Sequence, residues 1–127
     1  MDDRERHEKG MARRRKVLGD AWVDRANAGK TPLNEDFQDF ITRYAWGEIW
    51  ARPYFDERTR RVLVIGTMIA LGQWDEFRMH MRAAMSEGGF SEDDIKEIIL
   101  QQAIYCGLPA ANHAFKEAAA VMKEVGK

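Results

Sequence analysis

One cysteine and three prolines occur in 127 residues, and positive and negative charge nearly cancel. Each shortage removes a class of protein. A single thiol, Cys106, cannot close an intrachain disulfide, and Met1 to Lys16 is too charged for a secretory leader, so a reducing cytoplasm is the expected setting. Twenty Lys+Arg against 21 Asp+Glu leave a formal net charge of -1, without the basic excess that nucleic acid or an anionic membrane surface would attract. The longest apolar stretch, Val62 to Leu71, is about half of the roughly 20 residues a membrane span requires. Alternating strand patterns, Asn-Gly hairpin signals, phosphate loops and dinucleotide glycine patterns are missing, as are His-Glu-x-x-His and paired cysteines. No metal or nucleotide cofactor is therefore predicted.

What is present is the profile of one globular domain over residues 1–127. Hydrophobic residues make up 45% and charged residues 32%, enough apolar surface for a core and too balanced a charge for disorder. Periodicity predicts an all-α fold of about six helices. Met11, Val17, Leu18, Ala21, Trp22 and Ala26 recur at helical spacing and stop before Gly29. A second helix starts near Glu35 and carries Phe37, Phe40, Ile41, Tyr44, Ala45 and Trp46; Gly47 to Pro53 ends or kinks it, because Pro53 biases Arg52 out of the helical region. Asp56 to Thr59 cap a helix over Val62 to Leu71, apolar on most sides, as befits a central helix or one sandwiched in an oligomer. Phe77, Met81, Ala84 and Met85 mark a further helix closed by Gly88 and Gly89. Ser91 with Asp94 is a capping-box start for Ile95, Ile98, Ile99 and Ala103, and Pro109 suits the first position of a last helix.

Taken singly, the chemically able residues have bland readings. Cys106, at a helix end among Ile104, Tyr105 and Gly107, reads as a small buried hydrophobe. His80, one turn from Phe77 and Ala84, reads as a satisfied core residue, and His113 as an exposed one. The basic run Arg13 to Lys16 reads as a solvated helix face offset by Asp20 and Asp24. Trp46 and Trp50, four apart, read as packing. The corner at Gly107 puts Cys106 beside the amides of Ala110, Ala111 and Asn112, where a helix N-terminus could hold an anion or a developing enolate.

Three segments carry more information together. Ile41-Thr-Arg-Tyr-Ala-Trp-Gly-Glu-Ile-Trp-Ala-Arg-Pro, Glu76-Phe-Arg-Met-His-Met-Arg-Ala-Ala and Gln102-Ala-Ile-Tyr-Cys-Gly-Leu-Pro-Ala-Ala-Asn-His-Ala-Phe closely resemble the carboxymuconolactone decarboxylase family. Arg14-Arg-Lys-Val-Leu-Gly-Asp-Ala and Arg58-Thr-Arg-Arg-Val-Leu fit it as well, so the resemblance runs from about Glu8 to Glu124. It implies an all-helical fold of the alkylhydroperoxidase D type, assembled into a ring-shaped homo-oligomer, with a hexamer favoured and a trimer or dimer as alternatives. The activity it implies is cofactor-independent decarboxylation of 4-carboxymuconolactone to the enol-lactone of 3-oxoadipate, in the protocatechuate branch of the β-ketoadipate pathway. The partner is then a small lactone dicarboxylate.

The resemblance also distributes roles. His80 is the leading proton donor or dienolate stabiliser, since imidazole titrates near physiological pH, and Glu48 would orient it or exchange a proton with it. Cys106 and His113 occupy the positions of the first cysteine and the histidine of the peroxidase relatives' Cys-x-x-Cys-x-x-x-His motif. Arg43, Arg52 and Arg82 are candidates to clamp substrate carboxylates, each with an equal claim as a surface or subunit salt bridge. The rival reading is an alkylhydroperoxidase D-like thiol peroxidase or disulfide reductase. Position 109 is Pro, so the resolving thiol that such chemistry needs is missing. Pro53-Tyr-Phe-Asp departs from the Pro-Gly-Leu-Asp expected of the family, which bears on the specificity of a nearby loop.

Overall fold

A computed structural model describes residues 1–126. Its described residues are helical and carry no strand, in agreement with the all-α expectation. Seven α-helices and one π-helix replace the expected six or so. They are α1 (Asp3–Leu18), α2 (Asp20–Ala28), α3 (Glu35–Phe40), a π-helix (Ile41–Trp50), α4 (Glu57–Leu71), α5 (Trp74–Ser86), α6 (Glu92–Cys106) and α7 (Leu108–Glu124). Two compact units divide the chain, Met1 to Glu57 and the part from Arg58 onward. No helix among the described residues is long and apolar enough to cross a membrane.

In the first unit the extra helices have local causes. The polar N-terminal stretch is helical from Asp3, because the Asp2 carboxylate accepts the Glu5 N–H at 2.9 Å and caps the first turn. The pattern read as one helix up to Ala26 breaks at Gly19, whose φ of 91° suits glycine and not a side-chain-bearing residue. Winding does not stop at Gly47: the π-helix runs through it to Trp50, two residues short of Arg52. Gly47 is needed instead for close approach. A Cβ there would lie 2.3 Å from the Arg6 carbonyl oxygen, and one on Gly10 would lie 1.8 Å from that of Thr42, so α1 and the π-helix cross backbone against backbone. Arg14 corrects the reading of its basic run as a solvated face. It is 5% exposed and donates to Thr42 Oγ1 at 3.4 Å and Gln38 Oε1 at 3.2 Å, so one of the four cations pins the crossing from inside.

The second unit holds an apolar core of Ile65, Ile69, Phe77, Met81, Ile95, Ile99 and the alanine face of α7. Small residues on α7, Ala111, Ala114 and Ala118, let that helix pack closely. Ser91 and Asp94 form the expected capping box, with the Asp94 N–H donating to Ser91 Oγ at 3.2 Å and the Ser91 N–H to Asp94 Oδ2 at 2.8 Å. Gly107, with φ 96°, turns the chain from α6 into α7. The apolar stretch on α4 is buried on one side only: Ile65 and Ile69 face inward, whereas Leu63 and Leu71 are 55% and 64% exposed. Within this chain α4 is thus not the enclosed helix that its composition suggests.

Candidate active site

His80 lies on the buried face of α5 between Phe77 and Ala84, with 7% of its surface exposed. Desolvation lowers its pKa to about 4, and the positive charge of Arg61 adds to the shift. The imidazole is therefore neutral at pH 7, which corrects the expectation that it titrates near physiological pH. A neutral ring is a poor reservoir of protons but a good fixed N–H donor or proton acceptor.

Arg61 is the residue that reading the sequence missed. It is 1% exposed, the largest fully buried side chain of the described residues, and its charge reaches His80. The signal was available: Arg61, Ile65 and Ile69 fall at i, i+4 and i+8 on the buried stripe of α4. Gly88 makes room for it, since a Cβ there would stand 2.7 Å from Arg61 Nε.

A second cluster forms where α5 faces α7. The His113 ring stacks on Trp74 with centroids 4.2 Å apart and planes 3° from parallel. His113 Nε2 lies 3.2 Å from Glu117 Oε1, one turn along α7. Arg78 donates to the other oxygen of Glu117 and, through its second terminal nitrogen, to Asp75. The hydrogen bond from Arg78 is the main cause holding the Glu117 carboxyl below its ordinary range, so it stays a carboxylate. His113 itself is about half exposed, in keeping with its expected surface position.

Cys106 ends α6 and is half-buried, less enclosed than the core thiol expected on position alone. Gln102, one turn earlier, contacts its sulfur at 3.6 Å and donates to the Gly66 carbonyl at 3.0 Å, linking α6 to α4. Beside this contact a groove of about 570 Å³ runs between α4 and α6, lined by Val62, Leu63, Gly66, Leu71, Ile98 and Gln102 among others. The corner at Gly107 offers fewer amides than the sequence suggested, because the Ala111 N–H already donates to the Gly107 carbonyl at 3.2 Å.

The remaining expected residues are engaged in different ways. Arg82 grips Glu124 Oε2 with Nε at 2.8 Å and Nη2 at 2.6 Å. In the first unit, Arg43 places its guanidinium 5.7 Å from the Tyr44 ring centroid, with a buried Nε that has no hydrogen-bond acceptor. Glu48 Oε1 lies 3.6 Å from Arg6 Nε. Arg52 follows the π-helix, its backbone N–H donating to the Ile49 carbonyl at 3.1 Å. His80, Arg82, Cys106 and His113 thus belong to the second unit, and Arg43, Glu48 and Arg52 to the first. No group of three or more His, Cys, Asp or Glu side chains among the described residues could hold a metal ion.

Comparison with known proteins agrees with these segments. Residues 35–120 match the model of the Carboxymuconolactone decarboxylase family. Over 126 residues, 99% of this chain and 93% of the relative, the sequence is 43% identical to 4-carboxymuconolactone decarboxylase of Acinetobacter baylyi. It is 36% identical over 107 residues, 84% of this chain and 74% of the relative, to nitrosuccinic acid decarboxylase npaB of Metarhizium robertsii. A 48-residue 4-carboxymuconolactone decarboxylase sequence from Pseudomonas putida is matched over its whole length, 38% of this chain, at 48% identity.

Proposed function

The chain belongs to the carboxymuconolactone decarboxylase family, and we infer that it decarboxylates 4-carboxymuconolactone to the enol-lactone of 3-oxoadipate. The observation that carries this reading is the match along nearly the whole chain to the bacterial relative of that name. Two relatives are named for decarboxylation of two different acids. The lactone is preferred here because its namesake is matched over more of both chains and at higher identity. The matched residues 35–120 run across the border between the two units, which supports treating 1–127 as one functional domain.

The chemistry asks for charge placement and little else. The substrate is a dianion at neutral pH. When its ring-borne carboxylate leaves as carbon dioxide, the bonding pair moves through the ring double bond onto the lactone carbonyl, giving a dienolate. One proton then adds to the carbon beside that carbonyl. The substrate is its own electron sink, so the protein must hold the dianion, stabilise the dienolate and supply one proton per turnover. Fixed donors aimed at developing charge typically supply about 3–4 kcal/mol each, and a positioned acid about 10²–10⁴-fold.

In this reading His80, neutral and held by burial, gives an N–H to the dienolate oxygen, as a neutral imidazole can without first losing a proton. A dianion arriving beside it raises its proton affinity, opposing the effect of Arg61. His113 delivers the proton, because its half-exposed ring can exchange with water while His80 cannot. For Cys106, held at the end of α6 by its contact with Gln102, the role of a polarisable wall to the substrate rests on the family resemblance. Arg82 takes a carboxylate by exchanging Glu124 for substrate. For Arg43, Arg52 and Glu48, which lie in the first unit, the roles of carboxylate clamps and proton partner rest on the family resemblance alone. A homo-oligomer is part of this reading, a hexamer favoured by the family resemblance with a trimer or dimer as alternatives; Ile104, Tyr105 and Leu108, each at least 75% exposed around Cys106, are apolar surface that a second copy would cover. Light scattering checks that assembly.

The test of function is an ultraviolet assay with enzymatically generated 4-carboxymuconolactone, following enol-lactone formation. Turnover that falls by at least a hundredfold in His80→Ala, with the helical circular dichroism retained, is the expected result. A well-folded wild-type protein inert toward the lactone would overturn the reading.

A further inference from the structure

The cluster on α5 and α7 contains a carboxylate that the proposed chemistry has not used. A carboxylate can only accept a hydrogen bond, so the 3.2 Å contact between His113 Nε2 and Glu117 Oε1 requires the proton on Nε2. That leaves Nδ1 of the neutral ring as the acceptor, and no group among the described residues bonds it. Three further contacts fix the arrangement. Trp74 sets the plane of the ring by parallel stacking. Arg78 occupies the second oxygen of Glu117, which prevents the carboxylate from rotating away. Asp75 in turn binds Arg78, and the charge of Glu124 also acts on it. The Glu117 side chain is 19% exposed against 46% for His113, so the orienting group is the buried partner and the reactive group the accessible one.

We propose that Glu117, locked by Arg78, is a positioning residue that fixes the tautomer of His113, so that Nδ1 faces substrate as the proton carrier. Base, orienting carboxylate and a group that holds the carboxylate follow the same logic as a hydrolase triad, here applied to a single protonation. The inference rests on the reading that His113 delivers the proton.

Arg78 makes the test sharp. In Glu117→Gln the amide has one acceptor and one donor end. Arg78 donates only, so it takes the carbonyl oxygen and turns the NH₂ toward His113. Nε2 must then accept, and the proton moves to Nδ1. Nitrogen-15 chemical shifts of the imidazole should report Nε2–H in the wild type and Nδ1–H in Glu117→Gln. In the lactone assay kcat should fall about 10²–10⁴-fold with KM changed less than about threefold, as expected when a proton carrier is mispresented. In the double variant Glu117→Gln with Arg78→Met the amide is free to turn back, so the Nε2–H form and part of kcat should return. That rescue guards against a fold defect, which a second truncation would deepen.

An unchanged tautomer in Glu117→Gln would overturn the proposal, and so would a flipped tautomer with kcat within about twofold of wild type. Full activity in His113→Ala would instead remove His113 from proton delivery. That outcome sinks the underlying reading and is distinguishable because it needs no change at Glu117.

Discussion

Gly10→Ala should destabilise the protein although alanine is the better helix former. In the middle of α1 the exchange gains roughly 1 kcal/mol of helix propensity. Against this, the new Cβ would lie 1.8 Å from the Thr42 carbonyl oxygen, with the Gly47 nitrogen at 2.9 Å. Ordinary carbon–oxygen contact is about 3.3 Å, so α1 and the π-helix must part by roughly 1.5 Å at their crossing. Both obstacles are backbone, which cannot swing aside as a side-chain tip would. Overpacking of this kind costs about 1–3 kcal/mol or more, and separation also stretches the Arg14 hydrogen bonds to Thr42 and Gln38, already 3.4 and 3.2 Å long. A net loss of about 2 kcal/mol follows, equivalent to a fall in Tm of roughly 6–10 °C for a domain of this size. Differential scanning calorimetry reads it directly. Gly29→Ala is the control: φ is -85° and the nearest atom to an added Cβ is 3.5 Å away, so that variant should match or slightly exceed wild-type stability. A Gly10→Ala protein as stable as wild type would refute the backbone-contact argument.

His80 makes stability depend on pH in one direction. Its folded pKa of about 4 lies below the value near 6.5 expected of an unfolded histidine, so the unfolded chain binds more protons between those limits. Stability contributed by the neutral ring is complete above about pH 6.5 and is lost as pH falls toward 4; urea titrations should show a shallower slope in that window for His80→Gln. Asp94→Ala removes one arm of the capping box on α6 and the partner of Arg58, 2.7 Å away, and should cost about 1 kcal/mol by urea unfolding. Asp94 is held below the ordinary carboxylate range first by the Ser91 backbone N–H, so its contribution is present at neutral pH and disappears as the carboxylate protonates in acid. Phe77→Ala, at a position with no exposure, should cost about 3–5 kcal/mol by urea unfolding.

Features set by local pattern were readable in the chain. Ser91 with Asp94, Pro109 after Gly107, and the Phe77, Met81, Ala84 stripe each announce an element through contacts within a turn or two; the first and last are found as expected, and Pro109 falls at the second position of α7, after Leu108, instead of the first. What went unread depends on partners far away in sequence. Gly10 and Gly47 look like helix weakeners until the Thr42 and Arg6 carbonyls are known to lie against them. Arg14 belongs to a run of four basic residues, and only the fold decides which one is buried. The same holds for the candidate site. Family likeness pointed to His80 and His113, but the neutral state of the first follows from burial, with Arg61 adding to it, and the carboxylate partner of the second is Glu117, held by Arg78; reading the sequence assigns no role to any of these three residues. Glu117 could have been noticed four residues after His113, a spacing that hydrogen-bonds on any helix.

The uncovered apolar surface around Cys106 has a consequence for handling the protein. If Ile104, Tyr105 and Leu108 are covered by a second copy, association is coupled to folding by mass action, and the melting temperature becomes a function of concentration. Dilution then acts as a denaturant, and an activity measured at nanomolar enzyme need not describe the molecule studied at millimolar.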